Sequence, residues 1–280
     1  MIYSLKGISK SYNTRNGAVR ALDGLTFDVQ KGECVALLGP SGAGKTTLFR
    51  LFNATLRPTS GILRFDGRDL TAMSGSDLRS ARRRIGTIYQ QPHLVPSLSA
   101  LENTLCGRLG SWSLINTLRN IVRPSHGDLG EAIAALESVG LADKQNARAD
   151  ELSGGQQQRL TIARVLMQEP DVILADEPFA SLDPALTETV ASLLMDLVTK
   201  GRRTLVATMH DVDLALHLFP RIIGIRDGRI VFDKPAVEVD RETIGALYAG
   251  EQLVNASSLE MKDWLAAAKS QANREPSCAL

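Results

Sequence analysis

One stretch of the sequence combines the residue types that bind a phosphate chain. It matches the pattern G-x-x-x-x-G-K-[ST] and consists of Gly39, Pro40, Ser41, Gly42, Ala43, Gly44, Lys45 and Thr46, with Thr47 following. Glycines let backbone N–H groups turn toward an anion, the lysine can reach the terminal phosphates, and the threonine hydroxyl can bind Mg²⁺. We therefore predict a nucleotide-binding loop, and the alternative is a glycine-rich turn without a ligand.

A pair of acidic residues follows an apolar run in the second half of the chain. The run is Val172–Ala175, and Asp176 and Glu177 come directly after it. In open α/β sheets ligands bind at the carboxyl ends of strands, so an aspartate there can hold Mg²⁺ directly or through water. The glutamate beside it is then free to orient or deprotonate an attacking water. Alone, such a run is usually a strand that meets solvent, but beside a phosphate loop it indicates a catalytic pair.

A second glycine-bearing helix start lies at residues 152–159, with the sequence LSGGQQQR. Its serine hydroxyl and its backbone N–H groups can contact an anion, although the same residues also suit an ordinary helix cap. The chain thus has two helix starts of the phosphate-binding type but a single lysine-bearing loop.

The stretch LSGGQQQR resembles the signature sequence of the ATP-binding cassette (ABC) ATPases. The resemblance covers about residues 2–251, and the motifs occur in the order of that family. It implies an α/β fold: a P-loop NTPase core with a mostly parallel sheet, an antiparallel β subdomain and an inserted helical subdomain. It also implies that the chain binds ATP and Mg²⁺. Two copies would sandwich two ATP head to tail, and closure and reopening of this dimer on hydrolysis would drive a membrane partner.

The resemblance implies roles for further residues by their positions. Tyr12 corresponds to the aromatic residue that stacks on adenine, and Gln90 corresponds to the glutamine that contacts Mg²⁺ and senses the transport partner. His210 corresponds to the histidine that contacts the γ-phosphate. The implied Mg²⁺ ligands are Thr46, Gln90 and Asp176, and the implied catalytic residues are Glu177 and His210.

Contacts across the dimer are implied as well. The residues that would contact the γ-phosphate held by the second copy are Ser153, Gly154, Gly155 and Gln156. The sequence Ser181-Leu182-Asp183 resembles the loop that crosses the dimer seam. Simpler interpretations remain for isolated residues, since Tyr12 or Gln90 could be loop surface and His210 a structural histidine. The ordered set of motifs favours the functional interpretation for Gln90 and His210.

The elements that must position these residues follow from hydrophobic periodicity. Residues 2–29 contain alternating patterns typical of antiparallel strands, and the apolar run Cys34–Leu38 predicts a buried strand before the phosphate loop. A helix is predicted from Lys45 to Asn53, and residues from about 94 to 150 are predicted to be mostly helical. Further strands are predicted at Ile62–Phe65, Val172–Ala175, Thr204–Ala207, Arg221–Ile225 and Arg229–Phe232.

We predict one ABC ATPase domain over residues 1–252, with the helical subdomain inserted at about 94–165. Residues 253–280 form a predicted C-terminal tail in which a short amphipathic helix can form around 261–269. The basic run Arg82-Arg83-Arg84 has two interpretations. It either helps to dock a membrane partner or forms a solvated face.

The composition excludes several other classes of protein. The chain has 280 residues, of which 44% are hydrophobic and 22% charged, so a wholly disordered chain is excluded. The formal net charge of +1 and the 5% of aromatic residues do not indicate a nucleic-acid binder. No run approaches the ~18 apolar residues of a membrane-spanning helix, and the first residues do not resemble a signal peptide. The three cysteines are widely spaced, which indicates neither disulfides nor a metal knuckle and fits a reducing compartment.

Finer features resemble the ATPases of phosphonate importers. They are residues 84–91, Leu94-Val95, the long insert 107–127 with Trp112, residues 210–216, residues 221–228 and residues 247–251. The departures are Tyr89 in place of the usual Phe, Pro92-His93 in place of Phe-Asn, Asp211 in place of Gln, and a longer tail from Gln252. None of the departures touches ATP chemistry, but they leave phosphite or hypophosphite as alternative cargo.

We therefore expect the ATP-hydrolysing subunit of an importer for a phosphonate or a related phosphorus compound, peripheral at the cytoplasmic face of the inner membrane. Its expected partners are a second copy of itself, membrane permease subunits and, indirectly, a periplasmic or extracellular substrate-binding protein, with no nucleic acid. Alternatives are the same role for phosphite, hypophosphite or a polar amino acid, or a cassette ATPase of translation or DNA repair. A P-loop kinase has no use for the signature stretch.

Overall fold

Two β-sheets and a group of helices build the fold. The computed structural model describes residues 1–14, 17–112, 124–180, 182–199 and 201–249. In chain order, its strands are β1 (Tyr3–Thr14), β2 (Gly17–Val29), β3 (Cys34–Leu38), β4 (Ser60–Phe65), β5 (Arg68–Asp69), β6 (Ile85–Ile88), β7 (Val172–Asp176), β8 (Thr204–Thr208), β9 (Arg221–Arg226) and β10 (Arg229–Pro235).

The helices lie mainly between the strands of the second half and in the middle of the chain. They are α1 (Lys45–Phe52), α2 (Gly75–Arg83), α3 (Ala100–Leu105), α4 (His126–Ser138), α5 (Gly154–Gln168), α6 (Pro184–Thr199), α7 (Val212–Leu218) and α8 (Arg241–Leu247). Across the described ranges, none of these helices has both the length and the hydropathy to span a bilayer.

A six-stranded sheet forms the centre of the fold. Its order is β10-β9-β3-β8-β7-β6, and only β10 runs antiparallel to its neighbour, β9. All five residues of β3 and all five of β8 are buried, as expected for strands covered on both faces. The prediction of a mostly parallel sheet is confirmed, and the carboxyl ends of its parallel strands share one edge.

A smaller antiparallel sheet has the order β2-β1-β4-β5. Tyr3 in β1 lies opposite Val29 on one side and Phe65 on the other. Its hydroxyl donates a 2.8 Å hydrogen bond to the carbonyl of Phe52, so the small sheet is joined directly to the last turn of α1. The prediction of antiparallel strands in residues 2–29, and of a hairpin arm ending at Phe65, is confirmed.

The core consists of two large apolar clusters separated by the central sheet. In β3, Ala36 and Leu38 belong to the cluster that includes α5 and α6. Val35 and Leu37 belong to the cluster with α1 and the antiparallel sheet. Because successive side chains of a strand point to opposite faces, an uninterrupted apolar run is what a strand between two cores requires.

The described part of the middle of the chain is mostly helical. Helices α3, α4 and α5 contact one another, and Leu105, Ala132 and Met167 form a small apolar cluster between them. Both α3 and α5 begin with a capping box, formed by Ser99 with Glu102 and by Ser153 with Gln156. Residues 113–123 of the predicted insert, and the predicted tail 253–280, lie outside the described residues.

Arg84, the last residue of the basic run, joins three parts of the structure. Its guanidinium donates to Asp66 at 2.6 Å and to Asp171 at 2.5 Å, and it lies 5.1 Å from the centre of the Phe65 ring. Hydrogen bonds from Lys31 and Arg84 lower the pKa of Asp66 to about 2. Arg82 donates to the carbonyl of Ala54 at 2.7 Å. Arg82 and Arg83 are exposed, as a solvated face requires, whereas the partly exposed Arg84 holds the β4–β5 turn against the residues before β7.

Replacing this guanidinium tests its structural role. We expect Arg84→Ala to lower the free energy of unfolding by about 1–2 kcal/mol, because two carboxylates lose a charged hydrogen-bond donor that is only partly exposed. Denaturant unfolding at neutral pH measures the change. The control is Arg83→Ala, an exposed residue of the same run, with an expected effect within about 0.5 kcal/mol. Equal effects of the two substitutions would contradict this role.

Candidate functional site

The phosphate loop connects β3 to α1 and is packed closely on its neighbours. Gly39 has a φ of +153°, and a Cβ placed on it would lie 1.9 Å from the carbonyl oxygen of Ile225 in β9. Gly44, the N-cap of α1, has a φ of +105°, and a Cβ there would lie 2.5 Å from the carbonyl oxygen of Ala21 in β2. Glycine is therefore required at both ends of the loop by backbone conformation and by close approach.

Backbone hydrogen bonds close the loop on itself and on the β9–β10 turn. The N–H of Ala43 donates to the carbonyl of Pro40 at 3.2 Å, and the N–H of Gly228 donates to the carbonyl of Ala43 at 3.0 Å. Ser41, Gly42 and Thr46 are exposed, whereas Thr47 is half-buried. The loop thus presents its backbone and the Thr46 side chain to solvent at the start of α1, where a helix favours an anion.

Lys45 lies inside this loop. The residue is only 6% exposed, and its ammonium donates to the carbonyls of Gly39 and Pro40, the second at 3.0 Å. A buried ammonium must have hydrogen-bond acceptors, and phosphate oxygens can take the place of carbonyls. The loop therefore holds a positive charge among its own backbone groups.

The two carboxylates predicted at the end of β7 are fixed by the neighbouring strand. Thr208, the last residue of β8, donates to Oδ1 of Asp176 at 2.6 Å, and the N–H of Glu177 donates to the Thr208 hydroxyl at 3.0 Å. Glu177 has a φ of +48°, which is uncommon for a residue other than glycine. Such strain is concentrated at functional sites, where the surrounding structure imposes it.

The structure brings the two predicted catalytic residues into contact. Nε2 of His210 lies 2.5 Å from Oε1 of Glu177, and the side chains are 45% and 20% exposed, respectively. His210 follows β8 by two residues, and Glu177 follows β7, its neighbour in the sheet. The pair is therefore assembled by strand pairing and faces solvent at the edge that carries the phosphate loop.

Gln90 lies at the same edge, two residues after β6. Ile88 of β6 is opposite Ala175 of β7, so the segment that follows β6 emerges beside Asp176. Gln90 itself is exposed. The ring of Tyr89, next to it, packs against Phe49 in α1 and is 4.6 Å from the His93 ring.

The candidate Mg²⁺ ligands have suitable chemistry. Thr46, Gln90 and Asp176 offer a hydroxyl, an amide and a carboxylate oxygen, and Mg²⁺ binds oxygen through one or two protein carboxylates together with phosphates and water. Thr208 engages only Oδ1 of Asp176. No group of three or more His, Cys, Asp or Glu side chains that could hold a metal occurs in the described ranges.

The signature stretch forms the start of α5 and does not join the phosphate loop. The Ser153 hydroxyl accepts from the N–H of Gln156 at 3.3 Å, and the Gln156 side chain accepts from the N–H of Ser153 at 2.9 Å. A Cβ on Gly155 would lie 2.0 Å from Leu186 in α6, whereas a Cβ on Gly154 would meet no atom within 4 Å. Ser153 and Gly154 are exposed. These two residues therefore present an open helix start.

Asp183 has a local structural partner. Its Oδ1 accepts from the N–H of Leu186 at 3.0 Å, in the first turn of α6. The same Leu186 limits the space at Gly155, so the residues around Asp183 are packed against the signature stretch. Ser181 of the predicted seam loop lies outside the described residues.

Tyr12 lies in β1, beside residues that the sequence analysis missed. The Lys10 ammonium is 5.4 Å from the centre of the Tyr12 ring, at cation–π distance. Val19 lies opposite Tyr12 in β2 and is 55% exposed. The signal for this surface is an exposed valine opposite an aromatic residue. That signal becomes visible only when the register between β1 and β2 is known. The paired side chains offer an apolar surface of the kind a nucleotide base stacks on.

Glycine at the first loop position can be tested by substitution. We expect Gly39→Ala to lower the free energy of unfolding by about 3 kcal/mol or more, because the added methyl would overlap a backbone carbonyl of β9. The matched control is Gly42→Ala, whose Cβ would meet no atom within 4 Å and which therefore carries only the conformational penalty of its positive φ, about 1–2 kcal/mol. Denaturant unfolding compares the two variants. A smaller loss for Gly39→Ala than for Gly42→Ala would contradict the packing argument.

Comparison with known proteins identifies the family. The family model described as "ABC transporter" matches residues 22–180. The phosphonates import ATP-binding protein PhnC of Alcaligenes faecalis is 44% identical over 253 residues, which are 88% of this chain and 88% of that protein. The phosphonates import ATP-binding protein PhnC 2 of Pseudomonas aeruginosa UCBPP-PA14 is 47% identical over 235 residues, which are 84% of this chain and 87% of the relative.

Solved structures agree with this comparison. A dimeric ATP-binding cassette in a post-hydrolysis state, bound to ADP and Pi, is similar with a TM-score of 0.73 and 32% identity, over 84% of this chain and 98% of that one. A dimeric bacterial ABC transporter cassette has a TM-score of 0.75 and 31% identity over the same shares. The family and the fold predicted from the signature stretch are confirmed. This chain belongs to the ABC transporter family.

Proposed function

We propose that this chain is the ATP-hydrolysing subunit of an ABC importer that powers the uptake of a phosphonate or a related phosphorus compound through a separate permease. The observation that carries the ATPase proposal is the assembly of Lys45, Asp176, Glu177 and His210 at one edge of the parallel sheet. The cargo proposal rests on relatives named as phosphonate import proteins, at 42–47% identity.

Nucleotide binding uses the phosphate loop. The backbone N–H groups of the loop, to which Pro40 contributes none, and the Lys45 ammonium hold the β- and γ-phosphates, and the base stacks on Tyr12. Thr46, Gln90 and Asp176 would hold Mg²⁺, which would supply positive charge beside the phosphates. The oxygen-only donor set and the cationic loop support this assignment.

Hydrolysis requires a base beside the γ-phosphate. Glu177 accepts a proton from water as the water oxygen attacks the γ-phosphorus, the bond to the β–γ bridging oxygen breaks, and ADP and phosphate leave. His210 contacts the γ-phosphate and orients Glu177. The 2.5 Å contact between the two side chains supports this division of roles.

A second copy of the chain completes the site. Ser153, Gly154, Gly155 and Gln156 of one copy contact the γ-phosphate bound by the other, and the segment ending at Asp183 crosses the seam. The exposed helix start at Ser153 and the open space at Gly154 support this arrangement. Two solved relatives at 31–32% identity are described as dimeric.

The transport partners follow from the family. Gln90 and the helical region after it dock a membrane permease, and a substrate-binding protein delivers cargo to that permease. We place the chain at the cytoplasmic face of the inner membrane as a peripheral subunit. The net charge of +1 gives no support to a nucleic-acid partner.

Phosphite or hypophosphite import is the second candidate function. The observation that favours it is the set of departures near Gln90, namely Tyr89, Pro92 and His93, together with Asp211. Import of a polar amino acid, and a role in translation or DNA repair, are less favoured because the relatives described above are phosphonate import proteins.

Two substitutions separate nucleotide binding from turnover. We expect Glu177→Gln to keep ATP affinity within about three-fold, to lower kcat by 10²–10⁴-fold, as is typical for loss of a general base, and to accumulate an ATP-bound dimer. Lys45→Ala should instead weaken ATP binding itself by at least about ten-fold, because a charge-assisted hydrogen bond to phosphate is lost. Fluorescent nucleotide titration, phosphate release and size-exclusion chromatography with ATP measure these effects. Unchanged hydrolysis by Glu177→Gln would disprove its role as the base.

The cargo can be tested in the host organism. We expect deletion of the gene to abolish growth on methylphosphonate as sole phosphorus source and to leave growth on phosphate intact. A wild-type copy should restore growth, and a Glu177→Gln copy should not. Loss of growth only on phosphite or hypophosphite would support the second candidate function. Unchanged growth on all four sources, in a host without another importer, would contradict a phosphorus cargo.

A further inference from the structure

Thr208 lies between the phosphate loop and the acidic pair of the proposed nucleotide site. It is the last residue of β8, the strand between β3 and β7. In the ladder it lies opposite both Leu37, which comes just before the phosphate loop, and Asp176. Thr208 is only 1% exposed. One buried polar side chain therefore lies between the strand that leads into the phosphate loop and the strand that bears the acidic pair.

The Thr208 hydroxyl makes two hydrogen bonds with this acidic pair. It donates its proton to Oδ1 of Asp176 at 2.6 Å and accepts the N–H of Glu177 at 3.0 Å. The Glu177 N–H is also 3.2 Å from the Thr208 carbonyl oxygen. A hydroxyl can donate once and accept at the same time, so both neighbours are held by one atom.

The two bonds have different consequences for the acidic pair. The bond to Oδ1 orients the Asp176 carboxylate, so that Oδ2 is the oxygen left for another ligand. The bond from the Glu177 N–H, together with the carbonyl contact, holds Glu177 at its φ of +48°, from which its side chain contacts His210. Loss of the hydroxyl would free Oδ1 of Asp176 and would remove one of the two hydrogen bonds that the Glu177 N–H makes to Thr208, leaving only the bond to the backbone carbonyl.

We propose that Thr208 is a positioning residue for ATP hydrolysis, which sets Asp176 for Mg²⁺ and Glu177 for water activation through a single hydroxyl. The inference rests on the proposed ATPase function. Replacement of a residue that is hydrogen-bonded to a metal ligand typically lowers metal affinity or activity by 10–100-fold. A role in packing alone would instead depend on the methyl group and the volume of Thr208.

Paired substitutions distinguish the hydroxyl from the methyl group. Thr208→Val keeps the shape and removes the hydroxyl, whereas Thr208→Ser keeps the hydroxyl and removes the methyl. The matched control is Thr204→Val, at the other end of β8, where the residue is also 1% exposed and its hydroxyl accepts the N–H of Gly32 at 3.0 Å. The control removes a comparable buried hydrogen bond far from the acidic pair along the strand.

The variants are compared in the full chain by phosphate release and by titration with a fluorescent ATP analogue, in EDTA and at increasing Mg²⁺. For Thr208→Val we expect a 10–100-fold lower kcat, a KM for ATP within about three-fold of wild type, and at least a ten-fold higher Mg²⁺ requirement for tight nucleotide binding. Nucleotide affinity in EDTA should be unchanged. Thr208→Ser should stay within about three-fold of wild type in every measurement.

The control variant and three other outcomes test the positioning role of Thr208. Thr204→Val should also lower Tm, because a buried hydrogen bond is lost, but it should leave kcat and the Mg²⁺ requirement unchanged. The positioning role is overturned if Thr208→Val retains both wild-type values, if Thr208→Ser is as impaired as Thr208→Val, or if Thr204→Val reproduces the defect. A wild-type chain that neither binds nor hydrolyses ATP would refute the proposed function itself, which is a distinguishable outcome.

Discussion

The parallel pairing of β3, β8, β7 and β6 is the constraint on which the site depends. Parallel strands in register end at one edge, so the segments that follow them meet there although they are distant in the sequence. The phosphate loop, the acidic pair, His210 and Gln90 all follow such strands. Burial of both faces of the sheet, through two apolar clusters, keeps this pairing fixed and leaves the edge free for polar chemistry.

The parts of the candidate site that could be predicted from the sequence are the motifs formed by neighbouring residues. The phosphate loop, the acidic pair after β7 and the helix start at Ser153 each occupy a few neighbouring residues, and the family assignment built on them is confirmed. In the structure, strands β7, β8 and β9 each extend one residue past their predicted ends. The added residue is polar in each case (Asp176, Thr208 or Arg226). The apolar pattern ends before the strand does.

Contacts that depend on register between distant segments could not be predicted. Nothing near Thr208 in the sequence indicates that its hydroxyl faces Asp176, and the exposed Val19 is informative only once β1 and β2 are aligned. Arg84 illustrates the same limit, since a basic run suggests surface charge until Asp66 and Asp171 are found on either side of the guanidinium. Long-range pairing is specified by the whole fold, so local patterns carry little of it.

The position of Lys45 has a consequence for the relation between stability and binding. Its ammonium is removed from solvent and is held by carbonyls of the loop. The free energy of desolvating this charge is therefore part of the free energy of folding and not of ligand association, which is what preorganisation means. A neutral side chain at this position would remove that cost from folding and would also remove the positive charge of the loop. The loop therefore keeps a positive charge in a fixed position at some expense of stability.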